Sequence, residues 1–246
     1  MFAGCGFPEL DTSESQSKSL VHAVSARLSQ CMKRTSRCRL CLICKSWKWR
    51  AVLYFSRRVS TSQTDLVLTL LETVVDFQQR TTAVENCVNY FTNHRWNEVR
   101  TLDNVVSLFA RFPNDNVGNI ALAQYLSGYR LWTRAEQLRG LVAFFADNGI
   151  EDLDGLRNWA AATTFKTFEG RVKGLGFVLY HWLVMRLGVP TVKPDVHVLR
   201  FCQAALSRVV REQDAISGLT TVAGQLGVPP HRLDWSIWEY QRGGGT

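Results

Sequence analysis

The chain has 246 residues and a mass of 27.9 kDa, enough for one large domain or two modest ones whose core needs no disulfide staples. With 46% hydrophobic and 20% charged residues, collagen-like, mini-protein and fully disordered classes are excluded. Lys and Arg total 29 against 21 Asp and Glu, and the resulting charge of +8 hints at a polyanionic partner until its location is known.

That location is the first quarter of the chain. Residues 1–60 hold 11 Lys and Arg and only three acids, Glu9, Asp11 and Glu14, which accounts for the whole excess and leaves 18 basic against 18 acidic side chains after it. Cys5, Cys31, Cys38, Cys41 and Cys44 lie there too, and only Cys87 and Cys202 come later. An odd cysteine total without a secretory pattern points to a reducing compartment. The acids at 9, 11 and 14 stand where a signal peptide needs a basic start and an apolar run, so the protein is expected in the cytoplasm and not secreted. The apolar stretches at 51–55 and 177–185 fall short of the ~20 residues of a membrane span, and no membrane partner is expected. Cys31, Cys38, Cys41 and Cys44 form C-x6-C-x2-C-x2-C, a grouping that could hold zinc or an iron-sulfur cluster. The short last interval strains a tetrahedral set, and the favoured reading is a basic, apolar stretch without metal. Trp47, Lys48, Trp49, Arg50, Tyr54, Phe55, Arg57 and Arg58 interleave rings and cations, which suits single-stranded nucleic acid or a membrane surface and equally an adventitious tail. We read residues 1–60 as a poorly ordered extension and residues 61–246 as the folded domain.

From Asp65 onward the apolar spacing is helical, as in Leu66, Leu70, Leu71, Val74 and Val75, then Leu138, Leu141, Val142 and Phe145. No sustained alternation of period two marks a strand. Breaks at Pro113–Asn116, Gly149–Asp152, Gly188–Pro190 and Gly227–Pro230 divide the domain into about nine or ten helices. Asp152 to Asp154, Asp195 and Asp214 are candidate N-caps. Trp235, Trp238 and Tyr240 have helical spacing and read as core. The fold class is all-α, with room for two helical lobes.

Residues 171–201 carry the chemistry. Gly174-Leu175-Gly176 opens the apolar helix beginning at Phe177, and glycines there let the backbone turn tightly and present free N–H groups at the positive end of a helix. Such amides grip a phosphate without reading sequence. Gly188 and a short link come next, then Pro194-Asp195-Val196-His197-Val198-Leu199-Arg200-Phe201. Together these segments resemble the helix-hairpin-helix DNA glycosylase superfamily, which contains endonuclease III and the alkylated-base glycosylases. In that superfamily such a hairpin is followed by an aspartate in an Asp-x-His-x-x-Arg context.

The resemblance implies a two-lobed, all-α glycosylase-like fold that hydrolyses the N-glycosidic bond of a damaged or mispaired base flipped out of double-stranded DNA. It implies Asp195 as the catalytic carboxylate, and Lys173, Gly174, Leu175, Gly176 and Phe177 as the phosphate grip. The family's lyase lysine falls at Val178, so a monofunctional enzyme is implied. The C-terminal four-cysteine cluster is absent, only Cys202 lying in that half, and neither metal nor other cofactor is expected. Gln78 stands where such glycosylases place a residue that enters the duplex gap, though a solvated glutamine fits as well. Val178, Tyr180 and His181 could line the base pocket, with a packed, hydrogen-bonded role the plainer reading of His181. Tyr129 and Trp132, beside Arg130 and Arg134, could stack on a flipped base or hold phosphate, or serve as core and surface partners of one helix. A monomer is expected. The rivals are a non-catalytic helix-hairpin-helix DNA-binding protein and an interaction protein that uses its basic extension.

Overall fold

The computed structural model describes residues 65–77 and 79–242. The extension 1–60, with its cysteines and its aromatic-basic run, and Gln78 lie outside the described residues. Every regular element among the described residues is an α-helix, in the order α1 (Leu66–Val75), α2 (Thr81–His94), α3 (Leu102–Phe109), α4 (Asn116–Ser127), α5 (Trp132–Asp147), α6 (Leu153–Ala162), α7 (Phe165–Phe168), α8 (Phe177–Arg186), α9 (Val196–Leu206), α10 (Glu212–Leu226) and α11 (Pro230–Arg242). The protein is all-α, as its spacing predicts. It has more helices than the spacing resolves because α7 is a single turn, too short to leave a periodic signal.

The described residues divide into two compact units, 65–191 and 192–242. The first carries α1 to α8. Its central helix is α1, where all residues but Glu72 are buried, so that both faces are apolar. The buried hydroxyls of Thr69 and Thr73 donate to the carbonyls one turn back, Asp65 and Thr69, at 2.6 and 2.7 Å, which satisfies both donors. Asp65 caps the helix by accepting the Leu68 N–H at 2.8 Å, and burial raises its carboxyl above the ordinary carboxylate range. α2, α3, α5 and α8 pack around α1. Beside them Phe144 and Phe145 of α5, Trp159 of α6, Phe168 of α7 and Tyr180 of α8 meet mostly edge to face. Glu72 and Arg186 form an ion pair joining α1 to α8 that is almost wholly withdrawn from solvent.

The turn between α3 and α4 is held by one side chain. The Arg139 guanidinium of α5 donates to the Phe109 carbonyl at 3.1 Å, the Phe112 carbonyl at 2.9 Å and Asn119 Oδ1 at 2.8 Å. Two of these acceptors are carbonyls that the end of α3 and its turn leave without helical partners.

The second unit carries α9, α10 and α11 around a core that includes Val198, Phe201, Cys202, Leu219, Val222, Leu233 and Ile237. Burial pushes the Cys202 thiol up to about 12, which keeps it protonated and inert. Trp235 and Trp238 stack on each other at 4.6 Å, and Tyr240 meets the edge of Phe201; all three are half-buried. Asp152 and Asp195 cap α6 and α9 as expected. Asp214 does not cap α10. The helix has already begun at Glu212, and Asp214 sits inside its first turn, where the Arg211 guanidinium donates to it at 2.9 and 3.1 Å.

Arg139→Met keeps the apolar stem and removes every donor. Its expected cost is about 2–3 kcal/mol, because the Phe112 carbonyl and Asn119 Oδ1 lose the donor that serves them. Chemical denaturation of the two proteins measures this directly, and an unchanged midpoint would show that water replaces the guanidinium without loss.

Candidate functional site

α7 and α8 are joined by a turn that buries Val172 and Leu175 and exposes Lys173, Gly174 and Gly176. The Leu175 N–H closes it by donating to the Val172 carbonyl at 3.1 Å. Gly174 lies in the left-handed region at φ +76°, and a Cβ there would stand 2.7 Å from Gln137 Nε2. Glycine is thus required at 174 on two counts. Gly176 is different: it precedes α8 at φ −94°, and a Cβ added to it would meet nothing within 4 Å. No side chain caps α8. Among the described residues, the N–H groups of Gly176, Phe177 and Val178 face no acceptor. These amides end an open, positively polarised helix terminus.

The first two turns of α5 hold that turn in place. Gln137 is buried and its Nε2 donates to the Gly174 carbonyl at 3.4 Å. Arg134 donates to Gln137 Oε1 at 2.8 Å and to the Phe77 carbonyl at 2.6 Å, with its guanidinium over the Phe77 ring. Lys173 is highly exposed and pairs with Glu136 at 3.0 Å. The hairpin and the turn after α1 are therefore tied to one short piece of helix. Arg134, noted from sequence as a phosphate candidate, spends both terminal nitrogens on this brace, while its buried Nε has no acceptor among the described residues.

The remaining hairpin-side candidates fall in distinct surroundings. Phe177 is half-buried, edge-on to Phe165 and His181. Val178 is half-buried in the first turn of α8. Tyr180 is buried among the rings and donates its hydroxyl to the Thr163 carbonyl at 3.0 Å. His181 Nδ1 lies 3.1 Å from the Thr191 hydroxyl. Burial pushes the His181 imidazole down to about 4, so it is neutral near pH 7. Tyr129 and Trp132 flank the entry to α5, each a little over one third exposed, and Asn86 donates to the Tyr129 hydroxyl at 3.3 Å. Gln78 comes directly after Phe77 and is outside the described residues.

Asp195 belongs to the other unit, where it opens α9. Its Oδ1 accepts both the His197 N–H at 2.9 Å and the Val198 N–H at 3.2 Å. Its Oδ2 accepts no hydrogen bond among the described residues. The carboxylate is thus oriented by one oxygen and available through the other. Asp234 of α11 lies in the same unit, and its Oδ1 accepts the Lys193 N–H at 2.9 Å. Burial above all, and then the negative charge of Asp195, push the Asp234 carboxyl up to about 7, against the pull of the Lys193 N–H and ammonium. No group of three or more potential metal ligands occurs among the described residues, and no helix there is long and apolar enough to cross a membrane.

Glu136, Gln137 and Asp234 escape the sequence reading because each reads as one more polar residue on a helix. The one local sign is at Asp234, which sits beside Leu233 and three residues before Ile237, both buried. A family model described as a domain of unknown function (DUF8548) matches residues 49–242. Searches of curated proteins and of solved structures give no significant match.

The two glycines separate strain from space. Gly174→Ala is expected to cost about 1–3 kcal/mol, since it forces both a left-handed alanine and a displaced Gln137, whereas Gly176→Ala should stay within about 0.5 kcal/mol of wild type. Equal losses in urea denaturation would contradict the geometry of this turn. His181 gives a pH signature. Its folded pKa lies below the unfolded value, so the unfolded chain takes up the proton first and this contribution to stability is lost as pH falls from about 6.5 to about 4. With allowance for the ring's partial exposure, wild type should lose on the order of 1–2 kcal/mol more than His181→Gln across that interval. Parallel melting curves of the two proteins against pH would show that His181 does not titrate this way.

Proposed function

We propose that this chain, which belongs to the family of the domain of unknown function DUF8548, is a monofunctional DNA glycosylase of the helix-hairpin-helix type. Its substrate is a damaged or mispaired base flipped out of double-stranded DNA, and the reaction is hydrolysis of the N-glycosidic bond. The observation that carries the reading is the division of labour within Asp195: Oδ1 takes both cap bonds and Oδ2 takes none. Asp115 and Asp152 cap their helices through one oxygen in the same way, so what sets Asp195 apart is the run in which its free oxygen stands. Here it stands in the Pro194–Arg200 run that, with the Gly174 to Gly176 turn, resembles the glycosylase motif.

The chemistry derives from those parts. The free amides of Gly176, Phe177 and Val178 hold a backbone phosphate at the end of α8, and an exchange of Lys173 from Glu136 to that phosphate adds a cation. With the strand held, the target nucleotide leaves the stack. Cleavage of the bond from C1′ to the base nitrogen sends the electron pair onto the base and develops positive charge on the sugar. Asp195 Oδ2 stabilises that charge, and water adds its oxygen to C1′ and gives a proton to the carboxylate. The base leaves after protonation from solvent. With valine at 178 no amine is offered at the position of the lyase lysine, so the strand is left intact at an abasic site.

Two variants test the two halves separately. Asp195→Asn retains a capping oxygen, so it should fold and bind undamaged duplex like wild type while base release from lesion-bearing duplexes falls about a hundredfold or more. At exposed Gly176 a Cβ meets nothing within 4 Å, and Gly176→Leu should weaken binding of undamaged duplex about tenfold without lowering stability by more than about 1 kcal/mol. If a broad lesion panel yields no Asp195-dependent free base or alkali-labile site while duplex binding persists, the non-catalytic DNA-binding reading replaces this one.

A further inference from the structure

The second unit contains a carboxylate for which the chemistry above has no use. Asp234 is the fifth residue of α11, the helix that packs against α9, and its Oδ1 accepts the Lys193 N–H at 2.9 Å. The Lys193 carbonyl in turn accepts the Asp195 N–H at 2.8 Å. One residue of backbone thus relays α11 to the aspartate that opens α9. On either side of Lys193 the link is fixed by burial, with Val192 fully enclosed and Pro194 buried. The Lys193 N–H reaches outside the link, and Asp234 receives it.

Stability alone does not account for an aspartate at this place. The residue is half-buried and faces the charge of Asp195, and both circumstances oppose ionisation. Asparagine would accept the same hydrogen bond without that opposition, and leucine would fill the space. What the bond does accomplish is geometric. It holds the peptide between Val192 and Lys193, and the carbonyl of the next peptide holds the Asp195 N–H. The side chain of Asp195 is then held between its own backbone and the amides of His197 and Val198.

We propose, resting on the glycosylase reading, that Asp234 is a positioning residue for Asp195: by accepting the Lys193 N–H it fixes the link from Val192 to Asp195 and so aims Asp195 Oδ2 at the sugar. It touches neither base nor sugar. Its effect is on the rate of bond cleavage in bound DNA and not on DNA affinity.

The test compares Asp234→Asn, which keeps an acceptor, with Asp234→Leu, which removes it in a larger side chain of the same branching; Asp234→Ala serves if leucine is not accommodated. On a lesion duplex that wild type cleaves, single-turnover base release by the leucine variant should fall about ten- to a hundredfold with the dissociation constant for the same duplex unchanged, and asparagine should restore the rate to within about threefold of wild type. A leucine variant at the wild-type rate, or an asparagine variant as slow as leucine, overturns the proposal. Amide hydrogen exchange in the absence of DNA provides a second readout. Exchange at Lys193 and Asp195 should accelerate at least about tenfold in the leucine variant and stay near wild type in the asparagine variant, with α10 and the body of α9 still protected. Unchanged exchange at both amides overturns the relay even where excision is impaired. A wild-type protein that releases no base removes the glycosylase reading, while the exchange measurement still decides whether Asp234 fixes Asp195.

Discussion

A guanidinium taken partly out of water gains from acceptors for its N–H groups, and the two terminal nitrogens of Arg134 find them in two places that the chain otherwise leaves apart. It donates to the Phe77 carbonyl, in the turn after α1, and to Gln137, which passes the connection on to the Gly174 carbonyl. Desolvation lowers its affinity for its proton, yet a guanidinium stays charged well beyond physiological pH, so the requirement for acceptors is permanent. Everything proposed for the hairpin depends on that brace. The Gly174 peptide cannot rotate freely while its carbonyl is held, and the three open amides beyond it inherit its orientation.

The same device, a side chain that seizes backbone outside its own helix, recurs wherever the fold must fix a turn. Arg139 does it for the turn after α3, Tyr180 for the Thr163 carbonyl and Asp234 for Lys193. Short links between helices carry peptide groups without helical partners, and burying such links is tolerable only when those groups are satisfied. Helix ends satisfied by their own first residue obey a simpler rule. Asp65, Asp115, Asp152 and Asp195 each accept an amide two or three residues ahead, and Thr101 with Asn104 closes a full capping box.

This difference explains how much could be read from sequence. The caps at Asp152 and Asp195 were legible because the aspartate and the amide it takes lie within one turn, and the helices were legible because burial recurs every three or four residues. Asp214 misled for the same reason: an aspartate near a helix start looks identical whether it caps or sits in the first turn beside an arginine. α7 was invisible because four residues carry no period. Gln137 and Asp234 were invisible because their acceptors and donors lie 37 and 41 residues away, and no local pattern records a contact of that range. Of the candidate site, sequence supplied the glycines and Asp195; what holds them in position came only from the fold.

The +8 carried by the first 60 residues lies outside the described part of the chain, and residues 61–246 balance to zero. Within the described residues several cations are already engaged: Lys173 with Glu136, Arg111 with Glu98, Arg157 with Asp154 and Arg211 with Asp214. A phosphate that draws Lys173 away must offset the loss of an exposed ion pair, which is worth no more than about 1 kcal/mol. That exchange is nearly balanced, so the lysine adds little net affinity on its own. The amides of Gly176, Phe177 and Val178 carry no such competing partner. Their polarity is fixed by the helix and needs no charge to be freed. Binding through them is shorter in range, and less sensitive to salt, than binding through lysines. In the proposed glycosylase a grip of that kind would hold the strand through one phosphate without reading sequence, so specificity would rest on contacts to the base instead of on charge.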